Sequence, residues 1–125
     1  MRHWQPDYGV DAMIVSNHGG RNLDTTMSTI ETLPEVIEAV GGRAEVYMDG
    51  GIRRGADIAK ALALGARAVM FGRPIFWGFA YDGEDGLTGV FEILRDELES
   101  VMVLAGRHTV GSIDSTLIRK MPTLD

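Results

Sequence analysis

Ala44-Glu45-Val46-Tyr47-Met48-Asp49-Gly50-Gly51-Ile52-Arg53-Arg54-Gly55 decides the fold. Residues 44 to 49 read as a short strand with a polar end, and Gly50-Gly51 turns the chain. A helix is expected from about 55 to 64, stopped by Gly65. Upstream, residues 12 to 16 form a continuously apolar strand of the kind found in parallel sheets covered on both faces. A polar loop, Asn17 to Met27, leads to a helix that carries Leu33, Val36, Ile37 and Val40 at helical spacing and ends at Gly41-Gly42. Two capping boxes overlap at its start, Ser28 with Glu31 and Thr32 with Glu35. Pro34 suits an early helical position, which favours Thr32 as the cap.

Downstream, Ala66 to Phe71 reads as a third strand, and Gly72-Arg73-Pro74 turns the chain. Strand, loop and helix thus alternate three times, the pattern of an α/β fold of parallel βα units with right-handed crossovers. Beyond it, a short apolar piece from Ile75 to Tyr81 meets a turn over Asp82 to Gly86. Leu87, Val90, Phe91, Leu94, Leu98, Val101, Met102 and Ala105 then mark a long closing helix. Its Glu92, Arg95, Asp96, Glu97 and Glu99 read as a solvated outer face. The core is expected over about 9 to 106. Residues 107 to 125 are expected to form a tail, with a small turn of helix near 112 to 119, and residues 1 to 8 look like the end of something preceding the first strand.

At 125 residues, 45% apolar and 24% charged, the chain has the composition of an ordinary single globular domain. Its net charge of −6 argues against broad binding to nucleic acid or to anionic membrane. There is no cysteine, which excludes disulfides and thiolate chemistry and fits a cytoplasmic protein. The sequence has no apolar run of the roughly 18 residues expected of a transmembrane span, and no metal motif.

All three strands end in polar or glycine-rich turns at the carboxyl edge of the sheet, where ligands bind in α/β folds. In Asp49 to Gly55 the glycines let an anion approach backbone N–H groups, the following helix adds a positive dipole, and Arg53 can pair with the anion. Gly72-Arg73 offers a second amide and guanidinium one unit later, so a phosphate site is expected across these two turns. At the first strand, Ser16-Asn17-His18-Gly19-Gly20-Arg21 places an imidazole able to move a proton near neutral pH close to a guanidinium able to fork a carboxylate. A loop histidine bonded to backbone is the competing reading of His18. Asp24 reads as a turn residue or a partner of Arg21. His3 and His108 read as structural or exposed, and the seven methionines, Trp4 and Trp77 as packing residues.

These motifs, with Leu23-Asp24 and Lys60-Ala61-Leu62-Ala63-Leu64-Gly65-Ala66, closely resemble the FMN-dependent α-hydroxy-acid oxidising enzymes, from about residue 9 to 119. The resemblance implies the last three βα units and closing helix of a TIM (β/α)8 barrel, FMN as cofactor, and a small 2-hydroxy acid as substrate. His18 matches the active-site base and Arg21 the substrate-carboxylate arginine. Ser16 matches a position in the flavin site. Asp49, Gly50, Gly51, Ile52, Arg53, Gly72 and Arg73 match the segments that hold the FMN phosphate and ribityl chain.

The resemblance omits the family's substrate-contacting tyrosines, the lysine near flavin N1 and the aspartate that partners the base. The expectation is therefore a fragment of a longer enzyme or a split product. Three parallel strands cannot close a barrel, so unpaired strand edges and an exposed apolar inner face are expected. Such a chain would pair with the missing barrel half or with another copy of itself. A non-catalytic, self-associating half-barrel with at most weak phosphate or flavin binding is the alternative.

Overall fold

The computed structural model describes residues 9 to 119. Three strands, β1 (Ala12–Val15), β2 (Glu45–Met48) and β3 (Ala68–Val69), form one parallel sheet in the order β1-β2-β3. Met13 lies opposite Val46, Val15 opposite Met48, and Met48 opposite Val69. Paired residues of parallel strands share a face, so these five apolar side chains line one side of the sheet. Helices α1 (Thr29–Val40) and α2 (Gly55–Ala63) cover that side. Leu33 and Val40 of α1 and Ala61 of α2 join Val15, Val46, Met48 and Ile52 in one buried core. Leu33 and Met48 are fully buried, each contributing about 2 kcal/mol of transfer free energy.

The opposite side of the sheet is open. Ile14 is 50% and Met70 47% exposed, and Ala68 is also exposed. Tyr47, half-buried there, donates its hydroxyl to Glu45. This bond holds the Glu45 carboxyl below its usual range and pushes the Tyr47 phenol up. Among the described residues, neither the outer edge of β1 nor that of β3 has a partner strand. The third strand is shorter than the expected 66 to 71. Arg67 and Met70 still donate to Val46 and Met48, but β2 ends at Met48 and leaves Phe71 no strand to pair with.

Helix α1 begins at Thr29 with Ser28 as its N-cap, not at the Thr32 box. Ser28 Oγ donates to Glu31 Oε2 at 2.6 Å, and the Ser28 carbonyl accepts from the amides of Glu31 and Thr32. Thr29 is buried and bonded to Gly50, and this tertiary contact draws residues 29 to 32 into the helix. Pro34 consequently lies inside the helix, where the N–H that would have bonded Ile30 is missing.

The closing helix α3 spans Arg73–Leu104, with Pro74 in its first turn. The expected turn over 82 to 86 contracts to Asp82 and Gly83, whose non-helical backbone kinks the helix, and the apolar piece before it is helical. The arms on either side fold back on each other through two glycines. A methyl on Gly78 would lie 2.5 Å from the Gly86 carbonyl oxygen. Trp77, expected to pack, is 55% exposed, beside exposed Phe76 and Phe79. None of the described helices is long and apolar enough to cross a membrane.

Residues 107 to 119 do more than trail. Two 3-10 turns, Val110–Ser112 and Ser115–Leu117, flank buried Ile113, and Arg107 pairs with Asp114 at 3.0 Å. The readings of residues 1 to 8, with His3 and Trp4, and of 120 to 125 lie outside the described residues.

Candidate functional site

At the end of β1 the chain closes a 3-10 turn, His18–Gly20, that Asn17 organises. Asn17 Oδ1 accepts from the Gly19 amide at 3.0 Å, its carbonyl accepts from the Gly20 amide at 3.0 Å, and its Nδ2 donates to the Met27 carbonyl at 3.5 Å. Ser16 Oγ accepts from the His18 amide at 3.1 Å. These bonds hold His18 at φ 53°, a left-handed conformation that disfavours a residue with a Cβ by about 1 kcal/mol. Arg21 closes the turn, and both it and His18 are exposed. Asp24 sits in the following turn and makes no ion pair with Arg21 among the described residues.

At the end of β2, the Asp49 amide donates to the Val15 carbonyl, while the Asp49 Oδ1 atom is buried with no partner among the described residues. Gly50 and Gly51 follow at φ 89° and 80°. A methyl on Gly50 would lie 3.0 Å from Thr29 Oγ1 and 3.2 Å from Asn17 Oδ1, so the turns after β1 and β2 and the start of α1 meet there.

The next residues divide by role. Ile52 is buried in the core. The amides of Arg53 and Arg54 donate to Asp57 Oδ2 at 3.1 and 3.0 Å, and the Gly55 amide donates to Glu97 Oε2 at 2.8 Å. The start of α2, expected to offer amides to an anion, is already engaged by the chain's own carboxylates. Arg54 Nη1 pairs with Glu97 Oε1 at 3.2 Å, whereas the exposed Arg53 guanidinium has no side-chain partner among the described residues. Glu97 is thus no part of a solvated face but the tie between α3 and α2.

Past β3, Gly72 precedes α3 and Arg73 opens it. Arg73 reaches back over the sheet edge, so that a methyl on Gly19 would lie 3.2 Å from its Nη2. Between these turns lies a cleft of about 350 Å3. Of the expected site residues, Gly50, Gly51, Ile52 and Arg73 line it. Ser16, His18, Arg21, Asp49, Arg53 and Gly72 belong to the same turns but are not in its wall. Asn17, Thr29 and Lys60 also line it, and the sequence reading did not single them out. A second cleft, of about 460 Å3, lies where Val46, Glu45 and Arg67 meet Ile113, and none of the expected site residues lines it.

The donor set at the carboxyl edge has a definite chemistry. The buried Asp49 oxygen can accept from a hydroxyl, the glycine turn admits close approach of a ligand to backbone, and Arg53, Lys60 and Arg73 supply positive charge. The described residues contain no cluster of metal-binding side chains.

The model of a family described as FMN-dependent dehydrogenase matches residues 5–120.

The chain belongs to the FMN-dependent dehydrogenase family.

Among its relatives, 2-hydroxyacid oxidase 1 of Mus musculus is 55% identical over 115 residues, covering 92% of this chain and 31% of the relative. An L-lactate oxidase of Nostoc sp. is 49% identical over 112 residues, covering 90% of this chain and 31% of the relative. The crystal structure of mandelate oxidase with 3,3-difluoro-2-hydroxy-3-phenylpropionic acid matches with a TM-score of 0.83 at 48% identity, over 87% of this chain and 33% of that one. This FMN-dependent dehydrogenase family member therefore spans about a third of the length of the relatives it matches.

Proposed function

We propose that this chain supplies the last three βα units and closing helix of an FMN-binding (β/α)8 barrel that oxidises a small L-2-hydroxy acid to the 2-oxo acid. Residues 1 to 125 then form one partial domain, with its core from about 9 to 106. The observation that carries this reading is the meeting of the His18 loop, the Gly50-Gly51 turn and Arg73 at one sheet edge.

FMN, when bound, accepts the two electrons of the oxidation. The residues present fit it: the unpartnered Asp49 oxygen would accept a ribityl hydroxyl, and Gly50, Gly51, Arg53, Gly72 and Arg73 would hold the phosphate. Ile52 anchors this turn in the core, and Ser16 contributes to the flavin site through the loop it braces. His18 takes the hydroxyl proton on an imidazole nitrogen as the α-carbon is oxidised, and Arg21 holds the substrate carboxylate in a two-bond fork.

The open face of the sheet and the unpaired edges of β1 and β3 support a site completed by the remaining barrel units. Alone, the chain is inactive. The same open face favours a second reading, a self-associating half-barrel with weak flavin binding, and for either reading the chain forms homo-oligomers. We place it in the cytoplasm, since a chain without cysteine suits a reducing compartment.

The deciding experiment adds L-lactate, glycolate or mandelate to the chain with FMN, alone and mixed with the complementary barrel units. Bleaching of the flavin only in the mixture is expected. A mixture in which the flavin stays yellow while the chain still sediments as an oligomer selects the second reading.

A further inference from the structure

We propose that Glu97 is a positioning residue for the arginine turn after β2. With Asp57 it bonds the amides of Arg53, Arg54 and Gly55 where α2 begins, and so holds the turn that presents a bound phosphate to Gly50-Gly51 and Gly72-Arg73. The inference rests on the FMN reading above.

A helix start ordinarily presents unbonded N–H groups and a partial positive charge to an anion. Where α2 begins, the amides of Arg53, Arg54 and Gly55 are bonded to Asp57 Oδ2 and Glu97 Oε2 at 2.8 to 3.1 Å. The carboxylates occupy these three amides and hold the turn that carries Arg53 in one arrangement. Glu97 comes from α3, 42 residues along the chain from Gly55, so the tie is tertiary. Its Oε1 also pairs with Arg54, separating two adjacent arginines that are alike in sequence. Arg54 is paired to α3, and of these two arginines only Arg53 is left to meet an anion. Gly55 shows how close the contact is, since a methyl there would collide with the backbone of Glu97 and Leu98.

The test compares wild type, Glu97→Ala and Glu97→Gln in the chain mixed with the complementary barrel units. FMN and riboflavin are each titrated to millimolar concentration, and backbone amides are followed by NMR. Without ligand, Glu97→Ala should speed exchange of the Gly55 amide at least tenfold, and Glu97→Gln, which keeps an acceptor oxygen, should speed it less. With FMN, the wild-type shifts should fall on Gly50, Gly51, Gly72 and Arg73 and spare Gly55. Glu97→Ala should weaken FMN about tenfold and leave riboflavin within about twofold, because only FMN carries the phosphate. A purely structural role would weaken both flavins alike.

FMN shifts centred on Gly55, equal loss of both flavins, or unchanged Gly55 exchange in a folded Glu97→Ala chain overturns the inference alone. A complemented wild-type mixture that binds neither flavin overturns the FMN reading and the inference with it.

Discussion

The hydroxyl of Thr29, the first residue of α1, donates to the carbonyl of Gly50 at 3.3 Å. The helix that follows one strand thereby pins the turn that follows the next, and Thr29 is only 4% exposed where it does so. Thr29→Val keeps the shape and removes the bond. It should lower stability by about 1 to 2 kcal/mol in urea denaturation, with Thr29→Ser recovering most of the loss. A variant as stable as wild type would show that the turn is held by its own backbone.

Gly55→Ala tests the contact between α2 and α3. The added methyl would collide with the backbone of Glu97 and Leu98, and backbone cannot rotate away as a side-chain end can. A loss of about 3 kcal/mol or more is expected, at the upper end for overpacking, read as a fall in melting temperature. Gly111→Ala, where the nearest atom is 4.0 Å away, serves as the control and should change little.

His18→Gly should separate stability from chemistry. The backbone at φ 53° suits glycine, so stability should stay the same or rise by up to about 1 kcal/mol. Flavin reduction in the complemented enzyme should fall by about 10² to 10⁴. A marked loss of stability would mean that the imidazole is a structural bonding partner.

Acid should loosen the anchor formed by residues 107 to 119. The Thr116 hydroxyl and amide hold the Asp114 carboxyl below its ordinary value of 3.8, with Arg107 assisting. A carboxyl depressed in the folded state stabilises the fold above that ordinary value and ceases to do so as pH falls through its lower folded value. Between about pH 5 and pH 2, wild type should therefore lose stability more steeply than Asp114→Asn. Parallel acid limbs in the two proteins would count against this anchor.

The α/β order of elements was legible because each strand ends in a polar or glycine-rich turn and each helix repeats its apolar residues at helical spacing. What sequence reading missed was decided by tertiary contact. Pro34 favours the Thr32 capping box over that of Ser28, and the burial of Thr29 against Gly50 overrides it. Asp82 to Gly86 has the composition of a full turn, yet two residues suffice because Gly78 and Gly86 let the arms of α3 touch. The glycine turns and the loop that carries His18 could be found from local pattern. Asn17 could have been, since an asparagine at a loop start bonds amides two residues on. Glu97 could not, because its partners lie over 40 residues away on another element.

The buried core draws all its members from residues 15 to 66, one uninterrupted run of chain. Contacts so near in sequence form quickly, since little chain entropy is lost in closing short loops. During synthesis this run leaves the ribosome before α3 does, so its contacts can begin to form before α3 settles onto them. The arginine turn, tied to Glu97, would be the last part of the carboxyl edge to take shape.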